Sequence, residues 1–375
     1  MKKIVFLTGT RADYGKLKSL ITVTQNSDTF DIHIFVTGMH LNKLYGYTVT
    51  EIEKNKFKNI YKFENHDSVK YMDRTLAKTI LGFSKYVEKL KPDLIVIHGD
   101  RVEALAGALV GSINNILVAH IEGGEVSGTI DEMIRHSVSK MSHVHLVSNN
   151  LAKKRLIQMG EYDENIFIIG SPDLDLMKSK DLPSLRFVKE YYNIEFKEYS
   201  IAMFHPITTE YQDIKSIIKN FVDAIIASNL NYILIFPNND LGTEEILEEY
   251  NRLNDNSKFR IFPSLRFEYF LKLLNKSKFI IGNSSAGIRE APYYNIPTID
   301  IGTRQNNRDK ANSIINCDYS KKSILNAINE VSEKEFTNEI NKSNFGDGNS
   351  NKLFYEILNK KTFWEISPQK FFKEL

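Results

Sequence analysis

The chain has 375 residues, 42% of them hydrophobic and 26% charged, an ordinary globular composition that excludes intrinsic disorder of the whole. Lys and Arg number 49 against 47 Asp and Glu, a net charge of +2. That balance excludes a surface built to coat nucleic acid or an anionic membrane, while leaving room for local anion sites. At about 150 residues per domain the length predicts two to three domains.

The first apolar run, Ile4–Leu7, falls short of the about 7–15 residues of a signal core. Nowhere does an apolar run approach the ~18 residues of a membrane span. Cys317 is the only cysteine, so no internal disulfide and no cysteine-built metal cluster can form. The expectation is a soluble cytoplasmic protein. Further runs follow at Ile32–Val36, Leu94–Ile97, Ile116–Ile121, Val144–Val147 and Ile166–Ile169. They are rich in Ile and Val and lack polar alternation, which suits strands covered on both faces. Amphipathic segments such as 69–90 and Ile130–Met141 lie between them, so the pattern predicts a right-handed doubly wound parallel sheet.

The second half repeats the pattern, with candidate strands Ser200–Phe204, Tyr232–Phe236, Phe259–Ile261, Phe279–Ile281 and Thr298–Ile301. A polar stretch with Pro172 and Pro183 separates the halves. The reading is two doubly wound domains facing a central cleft, with residues 1–175 in the first and 176–355 in the second. The stretch Asn351–Leu375 reads as helix-like with aromatic anchors Phe354, Trp364 and Phe371, and residues 356–375 are set apart as a tail packing back across the domains. Segment 334–352 is polar and predicted to be an exposed loop. In such sheets ligands sit at the carboxyl ends of the strands.

The informative residues fall just after the apolar runs. TGTRADYGK places Arg11 and Lys16 around a helix start, beside unsatisfied backbone N–H groups, a ready anion site. It is not G-x-G-x-x-G, so it does not support a nicotinamide loop. IHGDRVEA and HIEGGEVSGTIDEMIRH each place a His and an acid two apart, His98 with Asp100 and His120 with Glu122. Residues two apart on a strand share a face, so two strand ends are expected to present two imidazoles and two carboxylates. Arg101 is a further candidate substrate contact. Thr129 and Glu132 fit a capping box, leaving Asp131 available for chemistry. In the second half, MFHPITTE sets His205 at a strand end. GNSSAGIREAP sets Ser284 and Ser285 at the start of a helix near Gly287, a phosphate site, with Glu290 one turn in and suited to ribose hydroxyls. Arg304 and Arg308 follow in IGTRQNNR. Each residue taken singly is as readily a cap, a surface charge or a satisfied core group.

Read in order, HGDR, HIEGGEVSGTIDE, FHPITTE, GNSSAGIREAP and IGTRQNNR resemble the hydrolysing UDP-N-acetylglucosamine 2-epimerases of bacterial sialic acid biosynthesis, over essentially the whole chain. The resemblance implies a glycosyltransferase-B-like fold of two Rossmann-like domains. It implies conversion of UDP-GlcNAc and water to UDP and N-acetylmannosamine, without metal or redox cofactor, in a homodimer. Arg11, His205, Ser284, Ser285, Glu290 and Arg304 match positions tied to UDP binding; Lys16 is a further substrate-contact candidate, and His205 also stands among the catalytic candidates. Asp100, Glu122 and Asp131 match the acidic catalytic set. Gly15 stands where some relatives, the animal enzymes among them, have Ser. A sister group acts on UDP-2,4-diacetamido-2,4,6-trideoxyglucose on the way to legionaminic acid. Three other readings stay open: a retaining-type glycosyltransferase, a metallohydrolase using His98, Asp100, His120 and Glu122, and a UDP-sugar sensor.

Overall fold

A computed structural model describes residues 1–65, 71–127, 129–179, 182–306, 312–333 and 345–374. The chain divides into two compact units. One comprises Met1–Glu125, Ile130–Lys180 and Asn344–Leu375, and the other Val126–Thr129 and Asp181–Ser343.

The first unit carries seven strands: β1 (Lys2–Thr8), β2 (Phe30–Val36), β3 (Asn59–Lys62), β4 (Leu94–His98), β5 (Leu117–Ile121), β6 (Val144–Val147) and β7 (Ile166–Ile168). They lie in the order β3-β2-β1-β4-β5-β6-β7, and every neighbouring pair is parallel. Alternate side chains of one strand enter two different cores. Ile4 and Phe6 join the layer with Leu17 and Phe354, while Val5 and Leu7 join the layer with Phe83 and Val138. Burial on both faces is the physical reason these strands are apolar without alternation.

The second unit carries β8 (Ser200–Met203), β9 (Tyr232–Ile235), β10 (Phe259–Phe262), β11 (Ile280–Gly282), β12 (Thr298–Ile301) and β13 (Ile314–Cys317). Their order is β10-β9-β8-β11-β12-β13, again parallel throughout. Both sheets therefore have the doubly wound order. Strand order reverses between β1 and β4 in one unit and between β8 and β11 in the other, the points where loops diverge and ligands enter.

Two strands escape the sequence reading. β3 (NIYK) and β13 (IINC) are short edge strands whose side chains are mostly exposed or half-buried. The tail also differs. Helix Ser350–Leu358 belongs to the first unit, where Phe354 meets Phe6 edge-on, although the sequence reading draws residues to 355 into the second domain. After a 3-10 turn at Lys361–Glu365 the chain is non-helical. Trp364 packs on Phe30, but Phe371 is exposed and is no anchor, because no apolar surface covers it. Of the polar segment 334–352, residues 334–344 lie outside the described residues, as does Arg308. Among the described residues no helix is long and apolar enough to cross a membrane.

Candidate active site

In the first unit the site is built on the carboxyl ends of β1, β4 and β5. The loop after β1 is closed on itself. Thr10 caps helix Arg11–Gln25 in a reciprocal capping box with Asp13. The Asp13 carboxylate accepts from Gly9 N at 3.0 Å, from Thr10 N at 3.1 Å and from the Thr8 hydroxyl. Burial pushes the Asp13 carboxyl up, against the pull of those donors. The amides that the sequence reading offers to an anion are thus taken by Asp13. The Gly9 and Thr10 amides are therefore occupied, and the Arg11 side chain is paired with Glu51.

Lys16, a candidate substrate contact, is held between two acids. Its ammonium lies 3.1 Å from Glu122 Oε2 and 3.3 Å from Asp173 Oδ2, and the side chain is only 11% exposed. Asp173, in the SPDLD stretch, has no signal in the sequence that marks it as part of the site, and neither does Ser171. Both are brought here by the chain returning after β7. Ser171 Oγ donates to Glu122 Oε1, and His98 Nε2 donates to Glu122 Oε2 at 3.0 Å.

The expected same-strand pairing of His with acid does not occur. β4 ends at His98 and β5 at Ile121, and the backbone turns left-handed at Gly99 (φ +72°) and Glu122 (φ +62°). Alternation ends there, so His98 meets Glu122 across the strands. Asp100 meets Arg135 from helix Ile130–Met141. His120 is fully buried, with Nε2 on Gly99 O at 2.8 Å and Nδ1 on Ser139 Oγ at 3.0 Å. Burial holds its pKa down at about 3, so it is neutral. The four groups of the metal-ligand reading thus face protein partners, and among the described residues no cluster of three His, Cys, Asp or Glu forms a metal site. Asp131 is half-buried in the first turn of the same helix as Arg135. Glu132, read as a cap, lies 3.5 Å from His136 one turn on. Arg101 precedes helix Val102–Ile113, with Nε 3.9 Å from Glu103 Oε2.

In the second unit the loops after β8 and β11 are joined by Asn283. It accepts from His205 N at 2.7 Å through its side chain, and its amide donates to His205 O at 2.8 Å. Its own carbonyl accepts from Arg304 Nη1 at 3.2 Å and Gln305 Nε2 at 2.7 Å. Asn283 was legible only as a polar residue beside the serines, yet it ties His205 and Arg304 into one arrangement. Asn238 N donates to His205 Nδ1 at 3.1 Å, which leaves Nε2 as the ring nitrogen carrying hydrogen. The serines stand differently from the expectation. Ser284 caps a 3-10 turn, Ser285–Gly287, and the helix begins only at Glu290 and ends at Tyr293. Glu290 is therefore its first residue, and it is buried.

A family model described as UDP-N-acetylglucosamine 2-epimerase matches residues 23–359. The chain is 48% identical, over 376 aligned positions covering 100% of both proteins, to UDP-N-acetylglucosamine 2-epimerase of Neisseria meningitidis serogroup B. It belongs to the UDP-N-acetylglucosamine 2-epimerase family. As a family member it is also 37% identical, over 96% of each chain, to a Legionella pneumophila protein named UDP-N,N'-diacetylbacillosamine 2-epimerase (hydrolyzing). Its fold is similar to that of Methanocaldococcus jannaschii UDP-GlcNAc 2-epimerase solved with UDP-GlcNAc and UDP, at a TM-score of 0.79 and 25% identity, covering 96% of this chain and 99% of that one. The two-unit α/β architecture is thus glycosyltransferase-B-like, as the resemblance implies.

Proposed function

We propose that this 2-epimerase family member is hydrolysing, converting UDP-GlcNAc and water to UDP and N-acetylmannosamine for sialic acid biosynthesis. The observation that carries the reading is the pair of acids Asp100 and Glu122 on neighbouring strand ends, each held by cations, with Asp131 on the helix that supplies Arg135. Two relatives named as hydrolyzing, at 37% and 34% identity, support it, as does a polysialic acid biosynthesis protein of Escherichia coli at 33%.

The C2 hydrogen of a UDP-sugar is not acidic. Oxidation of a neighbouring carbon would activate it, but the β1 loop reads TGTRADYGK rather than G-x-G-x-x-G, and its Gly9 and Thr10 amides are held by Asp13. Elimination is the other route. UDP leaves C1 while Asp100 or Asp131 takes the C2 proton, giving 2-acetamidoglucal. Carboxylates stabilise the cation-like C1. Water then adds at C1, and the Glu122 side of the site returns a proton to C2 on the other face. His205, Ser284, Ser285, Glu290 and Arg304 of the second unit, with Arg11, hold the nucleotide in this reading, and Arg101 contacts the substrate. A homodimer belongs to the same proposal and is tested by sedimentation.

The decisive experiment incubates the purified protein with UDP-GlcNAc in deuterated water and identifies products by NMR. Free UDP and N-acetylmannosamine with one deuterium at C2 are expected. A product still attached to UDP rejects hydrolysis, and retained C2 hydrogen rejects elimination. The Legionella relative's name supports a second substrate, UDP-2,4-diacetamido-2,4,6-trideoxyglucose, to be offered in parallel.

A further inference from the structure

We propose that His98 is the catalytic acid that returns the proton to C2, and that Glu122 acts through it as a positioning residue; this rests on the elimination–hydration reading above. An acid must hold a proton before it can give one. Glu122 is poorly suited to hold one. Its Oε1 accepts from Ser171, and its Oε2 accepts from His98 at 3.0 Å and from the Lys16 ammonium at 3.1 Å. Hydrogen bonds and a cation directed at a carboxylate favour its charged form. The side chain is also only 5% exposed, so little of it is open to a ligand.

His98 belongs to the same cluster, with 11% of its side chain exposed against 5% for Glu122. With Nε2–H donated to Glu122, the other ring nitrogen, Nδ1, has no protein partner among the described residues and is not a buried orphan, so it is open. The arrangement follows the logic of an imidazole oriented and stabilised by a carboxylate, with proton transfer at the far nitrogen. Protonation of Nδ1 makes an imidazolium whose charge Glu122 balances. Lys16 opposes that charge from behind, and Asp173 in turn balances Lys16. Asp13, from the first helix, lies near enough to His98 to feel its charge, and neutral His120 flanks it on β5.

The step balances as follows. The C1=C2 electron pair of the glucal takes the Nδ1 proton and forms the C2–H bond. Water oxygen bonds to C1 and loses its proton to the carboxylate, Asp100 or Asp131, that has returned its own to solvent. His98 is left neutral, still donating Nε2–H to Glu122, and is reprotonated from solvent.

The test compares wild type with His98→Gln on UDP-GlcNAc in deuterated water, following UDP, 2-acetamidoglucal and N-acetylmannosamine by NMR. In His98→Gln, UDP is still released, glucal accumulates, and N-acetylmannosamine forms at least about 10²-fold more slowly. Added imidazole partly restores hydration in His98→Gly, which a merely structural role would not allow. His98→Asn replaces the Gln variant if the latter melts below wild type. Near-normal hydration in the variant, or equal loss of UDP release and hydration without glucal and without imidazole rescue, overturns the proposal. If wild type itself releases no free sugar, the parent reading fails instead.

Discussion

His120 Nε2 lies 2.8 Å from the carbonyl oxygen of Gly99, the residue that precedes Asp100. A neutral, fully buried imidazole on β5 therefore pins the peptide that launches a candidate catalytic acid from β4, while Arg135 grips the carboxylate itself. His120→Ala removes a packed ring and two hydrogen bonds. It is expected to lower stability by about 2–4 kcal/mol. Calorimetric melting checks this. Turnover is expected to fall further than the melting temperature alone explains, with UDP affinity retained. Unchanged turnover in the folded variant would show that the Gly99 peptide needs no such support.

The acids are separable by amide substitution. Asp100→Asn, Glu122→Gln and Asp131→Asn keep shape and remove charge, and each is expected to lower the turnover number by at least about 10²-fold. UDP affinity is expected to change far less, because the proposed nucleotide contacts lie mostly in the second unit. Titration calorimetry beside the NMR assay separates the two quantities. Collapse of UDP affinity in all three variants would recast them as binding residues.

Glu290 is buried at the first residue of its short helix. If it holds ribose hydroxyls, Glu290→Ala weakens UDP binding by about 1.5–3 kcal/mol, roughly 10- to 150-fold. An unchanged dissociation constant would reduce it to a helix-terminal charge.

A fourth expectation concerns pH. Glu161 accepts from His145 at 2.9 Å, Lys140 at 3.0 Å and Lys370 at 2.6 Å. Burial would raise its pKa, but these donors outweigh it and hold the carboxyl at about 2. A lowered folded value stabilises above the unfolded value, about 4.3, and that contribution is lost as pH falls from there to about 2. Burial also lowers His145, whose charging on acidification works in the same direction. Glu161→Gln is expected to lose about 1.5–3 kcal/mol near neutrality and little at pH 2. Equal destabilisation at both pH values would mean that the effect is packing alone. The same cluster fastens the C-terminal segment, since Lys370 also donates to Ser142 O at 2.6 Å.

Strands buried on both faces could be read directly, because a strand with no wet side has no polar alternation to hide it; Ile4, Val5, Phe6 and Leu7 all reach a core. β3 and β13 could not, because an edge strand covers little and needs few apolar residues. The positions of Asp100, Glu122 and His205 just beyond apolar runs were likewise legible, since parallel sheets place loops at strand ends, and Asp131 was legible as a first-turn acid beside a capping pattern. Which side chains meet was decided only by the tertiary structure. Cross-strand register and two left-handed residues carry His98 to Glu122, and the returning chain brings Ser171 and Asp173 to Glu122 and Lys16. Lys16 and Glu122 are 106 positions apart, and no local propensity records a contact made by chain closure over that distance. The β1 loop makes the same point at short range. Its composition suits an anion site, but Asp13, turned inward by the capping box, occupies the Gly9 and Thr10 amides.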